Sequence, residues 1–244
     1  MHFRAREKHT VGKLLVLEGL IGVGKTSLAR ILRDEWRARL VLEPADDNPF
    51  LERFYSDPVR FAFPTQMFYM GTRFKQQLEM LQGDLFSPLI VADYMWEKDQ
   101  LFAEKTLPGD ELALYQRFVD LIAPNCPRPD LVIFIDSATD VVLSRIKKRA
   151  ISAETAVTAE YLDDLRARYY ELFAHYTTAP VYTLRTDSLD YVNNSEDRAQ
   201  VLDVISQWLE GRPGEAPLGP VSTGREDQVP LFELLSAPPK SEAS

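Results

Sequence analysis

One cysteine, Cys126, is all the chain contains, so an intrachain disulfide is excluded and a thiolate zinc cluster cannot be built. No apolar run is long enough to span a bilayer, and the polar opening Met1 to Thr10 has no signal-peptide core. Cytoplasm is the compartment these absences predict. Positive charge is in deficit: 28 Lys and Arg stand against 37 Asp and Glu, a formal net charge of −9. Nonspecific attraction to nucleic acid or to an acidic membrane surface is thereby disfavoured. A site for a polyanion must be a local basic island. No internal repeat is present, and no Asn-Lys-x-Asp motif that would read guanine in a nucleotide switch.

What is present suits one α/β domain. The 244 residues are 45% hydrophobic and 27% charged, ordinary for a globular chain with a substantial core. Short branched runs at Leu14–Leu17, Leu40–Leu42, Leu89–Ala92, Leu131–Ile135 and Val181–Leu184 read as buried strands, separated by sequence of helical period. Thr139-Asp140 opens a helix Val141–Arg149, and Thr158 precedes another running from about Tyr161, in which Tyr161, Leu165, Tyr169 and Phe173 share one face. The tyrosines of that stripe read as core. Strands alternating with helices predict a parallel five-stranded sheet with helices on both faces and ligands beyond the carboxyl ends of the strands. Residues 1–210 form this domain. From Gly211 to Ser244, where six of the 16 prolines fall, the composition predicts a flexible tail.

Directly after the first run, Gly19-Leu20-Ile21-Gly22-Val23-Gly24-Lys25-Thr26 spells G-x4-G-K-T. Glycines let successive N–H groups turn toward an anion, Lys25 adds a mobile charge, and Thr26 offers a hydroxyl to Mg²⁺. Ser27 to Leu32 reads as the amphipathic helix that such a loop requires. Gly19, Gly22, Gly24, Lys25, Thr26 and Ser27 are therefore the predicted ATP-binding set of a P-loop NTPase fold.

After the second strand comes Glu43-Pro44, then Phe54-Tyr55-Ser56-Asp57-Pro58 and Gln66. A strand-end carboxylate beside a P-loop can take the proton of a hydroxyl that attacks a γ-phosphate. Alone, Glu43 reads as a solvated strand end, and Tyr55 and Gln66 as helix packing. In combination with Arg73, Pro129-Asp130-Leu131-Val132-Ile133, Arg145-Ile146-Lys147-Lys148-Arg149, Glu154 and Tyr161-Leu162, these residues resemble the deoxyribonucleoside kinase family over about Lys13 to Trp208.

The resemblance implies an ATP- and Mg²⁺-dependent kinase acting on the 5′-hydroxyl of a deoxyribonucleoside, purine before deoxycytidine. It makes Glu43 the general base, and Gln66 and Arg73 readers of the base. Tyr55 and Glu154 would hold the 3′-hydroxyl, with Phe102 stacking on the base or belonging to the core. Arg145 and Arg149 would form a lid over the phosphates, their spacing alone reading as a solvated helix face. It also implies a homodimer and feedback inhibition by a deoxynucleoside triphosphate.

Two departures stand out. After the third strand, many members of the family it resembles carry an acidic-Arg-Ser motif, whereas this chain reads Asp93-Tyr94-Met95-Trp96-Glu97-Lys98-Asp99. Asp93 remains able to serve the metal, and Lys98 stands as a point-charge substitute for the missing arginine. The register leaves either Lys98 or Asp99 opposite the family's base-reading acid. Ile151 replaces a further lid arginine. Asp136 is expected to cap the helix near Thr139.

In the tail, Gln228-Val229-Pro230-Leu231-Phe232 resembles peptides that dock on the bacterial sliding clamp, or it folds back on the protein's own surface. Rival readings of the whole chain are a nucleoside monophosphate kinase and a nucleotide-binding interaction protein without kinase activity.

Overall fold

A computed structural model describes residues 12–43, 48–81, 87–122, 126–149 and 157–211. Five parallel strands lie in the order β2-β3-β1-β4-β5. They are β1 (Lys13–Gly19), β2 (Arg39–Val41), β3 (Leu89–Ala92), β4 (Leu131–Asp136) and β5 (Val181–Arg185). Every residue of β3 and of β4 is buried. A strand can hide both sets of alternating side chains only when both faces of its sheet are covered, hence the branched runs in place of apolar–polar alternation. Leu15 sits opposite Val91 on one side and Leu131 on the other, which fixes β1 at the centre.

The chain leaves β1 through α1 (Lys25–Trp36) for β2 on one side, and later adds β4 on the other. This reversal makes the crevice between β1 and β3 the topological switch point, where ligands of open parallel sheets bind. P-loop, Glu43 and Asp93 follow the carboxyl ends of β1, β2 and β3.

Past β2 the chain makes α2 (Leu51–Ser56) and the long α3 (Pro58–Leu81). Pro58 takes the first helical position of α3, where its missing N–H costs nothing, and the Asp57 carboxylate accepts from Arg60 N at 3.3 Å. The segment between β3 and β4 supplies α4 (Lys98–Thr106) and α5 (Gly109–Ile122). These pack on α3 around a second small core of Ala62, Met70, Ala103, Leu107 and Tyr115. The main core covers the sheet.

After β4 come α6 (Thr139–Arg149), α7 (Ala159–His175) and, beyond β5, α8 (Ser195–Leu209). Thr158 caps α7 as expected, accepting from Tyr161 N at 3.2 Å. The tyrosine stripe is core: Tyr169 and Phe173 pack on Phe134 with ring centroids 5.3 and 5.2 Å away.

Asp136 has a different role from the one expected. It is fully buried and accepts from Ser137 N (2.9 Å), Arg166 Nε (3.0 Å), Tyr170 Oη (2.7 Å) and Arg185 Nη1 (2.5 Å). A carboxylate with no exposure needs cations more than a helix end needs a cap, so Asp136 ties β4 to α7 and β5. Among the described residues no helix is long and apolar enough to cross a membrane.

Candidate active site

The P-loop closes over the end of β1 because its glycines adopt backbone angles that other residues avoid. Gly19 has φ 147° with the Ile135 carbonyl where a Cβ would stand, and Gly22 has φ 78° against the Ile146 side chain. The N-terminus of α1 has no side-chain cap and no acidic residue in its first turn. Its N–H groups and dipole are left for an anion. By contrast, α8 is capped by Asn194, whose side chain accepts from Glu196 N and Asp197 N.

Lys25 folds back over the loop, donating to the carbonyls of Gly19 (2.7 Å) and Leu20 (3.0 Å). Burial is the main reason its pKa falls to about 8, helped by the Lys98 charge and opposed by Glu18, Glu43 and Asp93. A triphosphate beside it would restore the proton. ATP binding is therefore expected to take up a proton as pH rises through about 8, and affinity to weaken by up to about tenfold per unit above that. Calorimetric titration in buffers of different ionisation enthalpy would measure the uptake; pH-independent binding without uptake would contradict it.

Thr26 Oγ1 donates to Asp93 Oδ2 at 2.8 Å, and Asp93 Oδ1 accepts from Glu43 N at 2.7 Å. A single buried carboxylate thus links the P-loop, the end of β3 and the end of β2. The Glu43 segment is held from the other side too. Gln76 on α3 donates to the Leu42 carbonyl at 2.9 Å and accepts from Tyr94 Oη at 2.7 Å.

At the centre is the Glu43 carboxylate. Oε1 pairs with Arg73 Nη2, and Oε2 with Lys98 Nζ at 3.2 Å. Arg73 Nη1 pairs in turn with Asp99. The guanidinium lies over the rings of Tyr69 (5.2 Å) and Tyr94 (5.5 Å). Burial works to raise the pKa of Glu43, but Lys98 and Arg73 outweigh it and hold the carboxyl far below the usual range. Of the two residues at 98–99, Asp99 meets Arg73 and Lys98 turns to Glu43.

Because its folded pKa is depressed, the stability Glu43 contributes is present above its ordinary value of about 4.5 and is lost as pH falls below that. Lys98→Met removes one of the two cations, so the Glu43 pKa should rise. Glu43 should give the wild type no acid limb in a kcat/KM profile recorded from about pH 4 to 8, whereas the variant is expected to lose activity at the acid end of that range. A variant profile with the wild-type shape would separate Lys98 from Glu43 in solution.

The remaining predicted residues fall into place unevenly. Gln66 is buried on α3, donating to Thr106 Oγ1 at 3.3 Å. Phe102 is partly buried against the main core, with Lys98 Nζ 5.7 Å from its ring centroid. Tyr55 falls in α2, but its side chain, Glu154, Ile151 and the clamp-like peptide lie outside the described residues. Arg149 is exposed at the end of α6.

Arg145, the first of the two expected lid arginines, is partly buried. Its five hydrogen bonds go to the carbonyls of Val23 (3.0 Å), Thr186 (2.7 Å) and Leu189 (3.4 Å) and to the hydroxyls of Ser137 (3.2 Å) and Thr186 (3.1 Å). It clamps the P-loop to the connection between β5 and α8. Gln76 and Tyr94 had no mark in the sequence beyond ordinary helix and loop positions.

A P-loop at the switch point of a parallel sheet, with a carboxylate ending the next strand, defines a P-loop phosphotransferase. The deoxynucleoside kinase family profile matches residues 15–210. The chain belongs to that family and is a phosphotransferase. It is 31% identical to a deoxyguanosine kinase of Bacillus subtilis (strain 168), covering 80% of this chain and 97% of that one. It is 30% identical to a deoxyadenosine kinase of Lactobacillus acidophilus over 81% of this chain and 96% of the relative. In fold it is similar to the deoxyadenosine kinase of M. mycoides solved with bound dATP, with a TM-score of 0.64, 20% identity, and coverage of 80% of this chain and 99% of that one.

Proposed function

We propose that this enzyme transfers the γ-phosphoryl of ATP to the 5′-hydroxyl of a deoxyribonucleoside, purine first and deoxycytidine next, yielding the monophosphate and ADP. The observation that carries this reading is the Glu43 carboxylate, held between Arg73 and Lys98 and joined through Asp93 to the P-loop threonine. Glu43 accepts the hydroxyl's proton, and the cations keep it ionised and aimed. Arg73 and Asp99 together offer the base paired donors and an acceptor, and Gln66 adds an amide.

Lys25 and the N-terminus of α1 hold the donor phosphates. Arg149 is the lid cation, and Arg145 steadies the loop beneath it. For Arg145 itself to reach a phosphate, it would have to release the carbonyls it now holds.

Magnesium fits the site, since Thr26 and Asp93 bring two oxygens together, and Mg²⁺ takes one or two protein oxygens plus phosphate and water. When bound it would neutralise charge on the donor phosphates.

Charge balance favours a nucleoside over a nucleoside monophosphate as acceptor. The two cations, Arg73 and Lys98, already face two carboxylates, Glu43 and Asp99, leaving no surplus for an acceptor phosphate. A panel of natural deoxynucleosides, ribonucleosides and monophosphates, assayed with ATP and magnesium, tests this. Turnover confined to monophosphates would refute it.

A homodimer formed through helix packing is part of the same reading, supported by exposed apolar side chains. On α5, Leu114, Phe118 and Leu121 are 44%, 38% and 73% exposed and recur at helical spacing, and Leu78 of α3 is 37% exposed. Phe118→Glu should shift the light-scattering mass from dimer to monomer; a monomeric parent protein would end the idea. Residues 1–210 are the catalytic unit in this account. Inhibition by a deoxynucleoside triphosphate spanning both sites remains part of it, testable in the same assay.

A further inference from the structure

Glu18 is the one charged side chain on β1 past Lys13, and it is fully buried. A carboxylate in a strand otherwise made of Leu14 to Leu17 costs folding free energy unless donors converge on it. They do, and from three parts of the molecule. Oε2 accepts from Gly19 N at 3.1 Å and from Tyr169 Oη at 2.8 Å, while Oε1 accepts from Met95 N at 2.8 Å.

Each donor belongs to a segment that the chemistry needs in register. Gly19 begins the P-loop at a backbone angle only glycine readily adopts. Met95 lies two residues beyond Asp93, which itself binds Thr26 and Glu43 N, and three before Lys98. Tyr169 stands on α7, the helix that follows the lid-bearing α6. No backbone hydrogen bond joins Gly19 to the 93–98 loop among the described residues. Between those segments the carboxylate of Glu18 is a bridge, in parallel with Thr26–Asp93.

We propose that Glu18 is a positioning residue. Resting on the kinase reading above, it holds the start of the P-loop, the loop carrying Asp93 and Lys98, and the helix behind the lid in a single arrangement. It touches no substrate; it sets where Asp93 stands relative to Thr26. An apolar residue of similar size would fill the space as well and satisfy none of the donors, whereas a glutamine would present its NH₂ to an N–H or hydroxyl that needs an acceptor. Displacing a reacting arrangement by a fraction of an ångström to 1 Å reduces turnover far more than it reduces binding.

Glu18→Gln, Tyr169→Phe and the double variant are compared with the wild-type full chain. The measurements are kcat, the Mg²⁺ concentration for half-maximal rate, KM for deoxynucleoside, and melting temperature. Glu18→Gln is expected to lower kcat by about tenfold or more and to raise the Mg²⁺ midpoint several-fold, with nucleoside KM changed by less than about twofold. Tyr169→Phe, which removes one donor and leaves both N–H bonds, should move the same two quantities in the same direction by about threefold. In the double variant the tyrosine change should add nothing, because it acts through Glu18.

The proposal is overturned if the variants melt lower but keep wild-type kcat and Mg²⁺ dependence, if the loss falls on nucleoside KM alone, or if the two effects multiply. Should Glu18→Gln not fold, Tyr169→Phe decides by the same criteria. A wild-type protein without turnover would fail the kinase reading, whereas an active wild type with unaffected variants fails this inference only.

Discussion

Glu43→Gln is expected to lower kcat by about 10²- to 10⁴-fold, the range a positioned general base contributes, with ATP affinity near normal. The substitution keeps the side chain's size and one acceptor oxygen but removes the basic site. It also removes the charge that faces Arg73 and Lys98, so some loss of acceptor binding should accompany the loss of turnover. The pKa of Glu43 is held far below the usual range, which at first sight makes it a poor base. Phosphoryl transfer through a loose transition state tolerates this, because the hydroxyl proton leaves late and the carboxylate serves mainly to aim the oxygen. Single-turnover kinetics and ATP titration separate the two steps; a variant with wild-type kcat would remove Glu43 from the mechanism.

Arg73→Met is expected to destabilise the fold by about 3–5 kcal/mol, the usual result of removing one partner from a buried ion pair. Arg73 has a side-chain exposure of 4% and stands between Glu43 and Asp99. Methionine fills most of the volume but leaves the buried Asp99 without its cation. Urea unfolding would measure the change, and a loss below about 1 kcal/mol would place the pair among those that solvent weakens. Discrimination among bases should fall in the same variant, since the donors that read the base edge go with the guanidinium. Arg73→Lys should rescue little of it, because an ammonium cannot bridge two carboxylates in a planar fork.

Much of the fold was legible because burial on both faces writes a strand as an unbroken branched run. The boundaries of β3 were expected as found, β4 and β5 each run one residue further at the carboxyl end, β1 is longer at both ends, and β2 is shifted by one residue. The P-loop was legible for a similar reason: backbone angles reserved for glycine leave a fixed spacing in the chain. Side-chain partnerships were not. Whether Lys98 or Asp99 meets Arg73 depends on the rotation of α4 against α3, which no local pattern encodes. Asp136 was misplaced because the nearby helix start at Thr139 suggested a cap, and Arg145, a lid residue by resemblance and a solvated helix face by spacing, turns inward in this structure. Their actual partners, Arg166 and Arg185 for one and Thr186 and Leu189 for the other, come from distant elements. Glu18 did carry a signal, a lone carboxylate inside an apolar strand, which asks where its donors come from.

The central claim is that the Glu43 carboxylate faces the acceptor hydroxyl in line with the donor phosphate. A crystal structure with a deoxynucleoside and a non-hydrolysable ATP analogue would test it most directly. The expected result places a Glu43 carboxylate oxygen about 2.6–3.2 Å from the 5′-oxygen, with Arg73 and Asp99 on the base edge. A nucleoside bound with its 5′-oxygen out of reach of Glu43, or Glu43 still closed onto both Arg73 and Lys98 with the sugar elsewhere, would contradict the account.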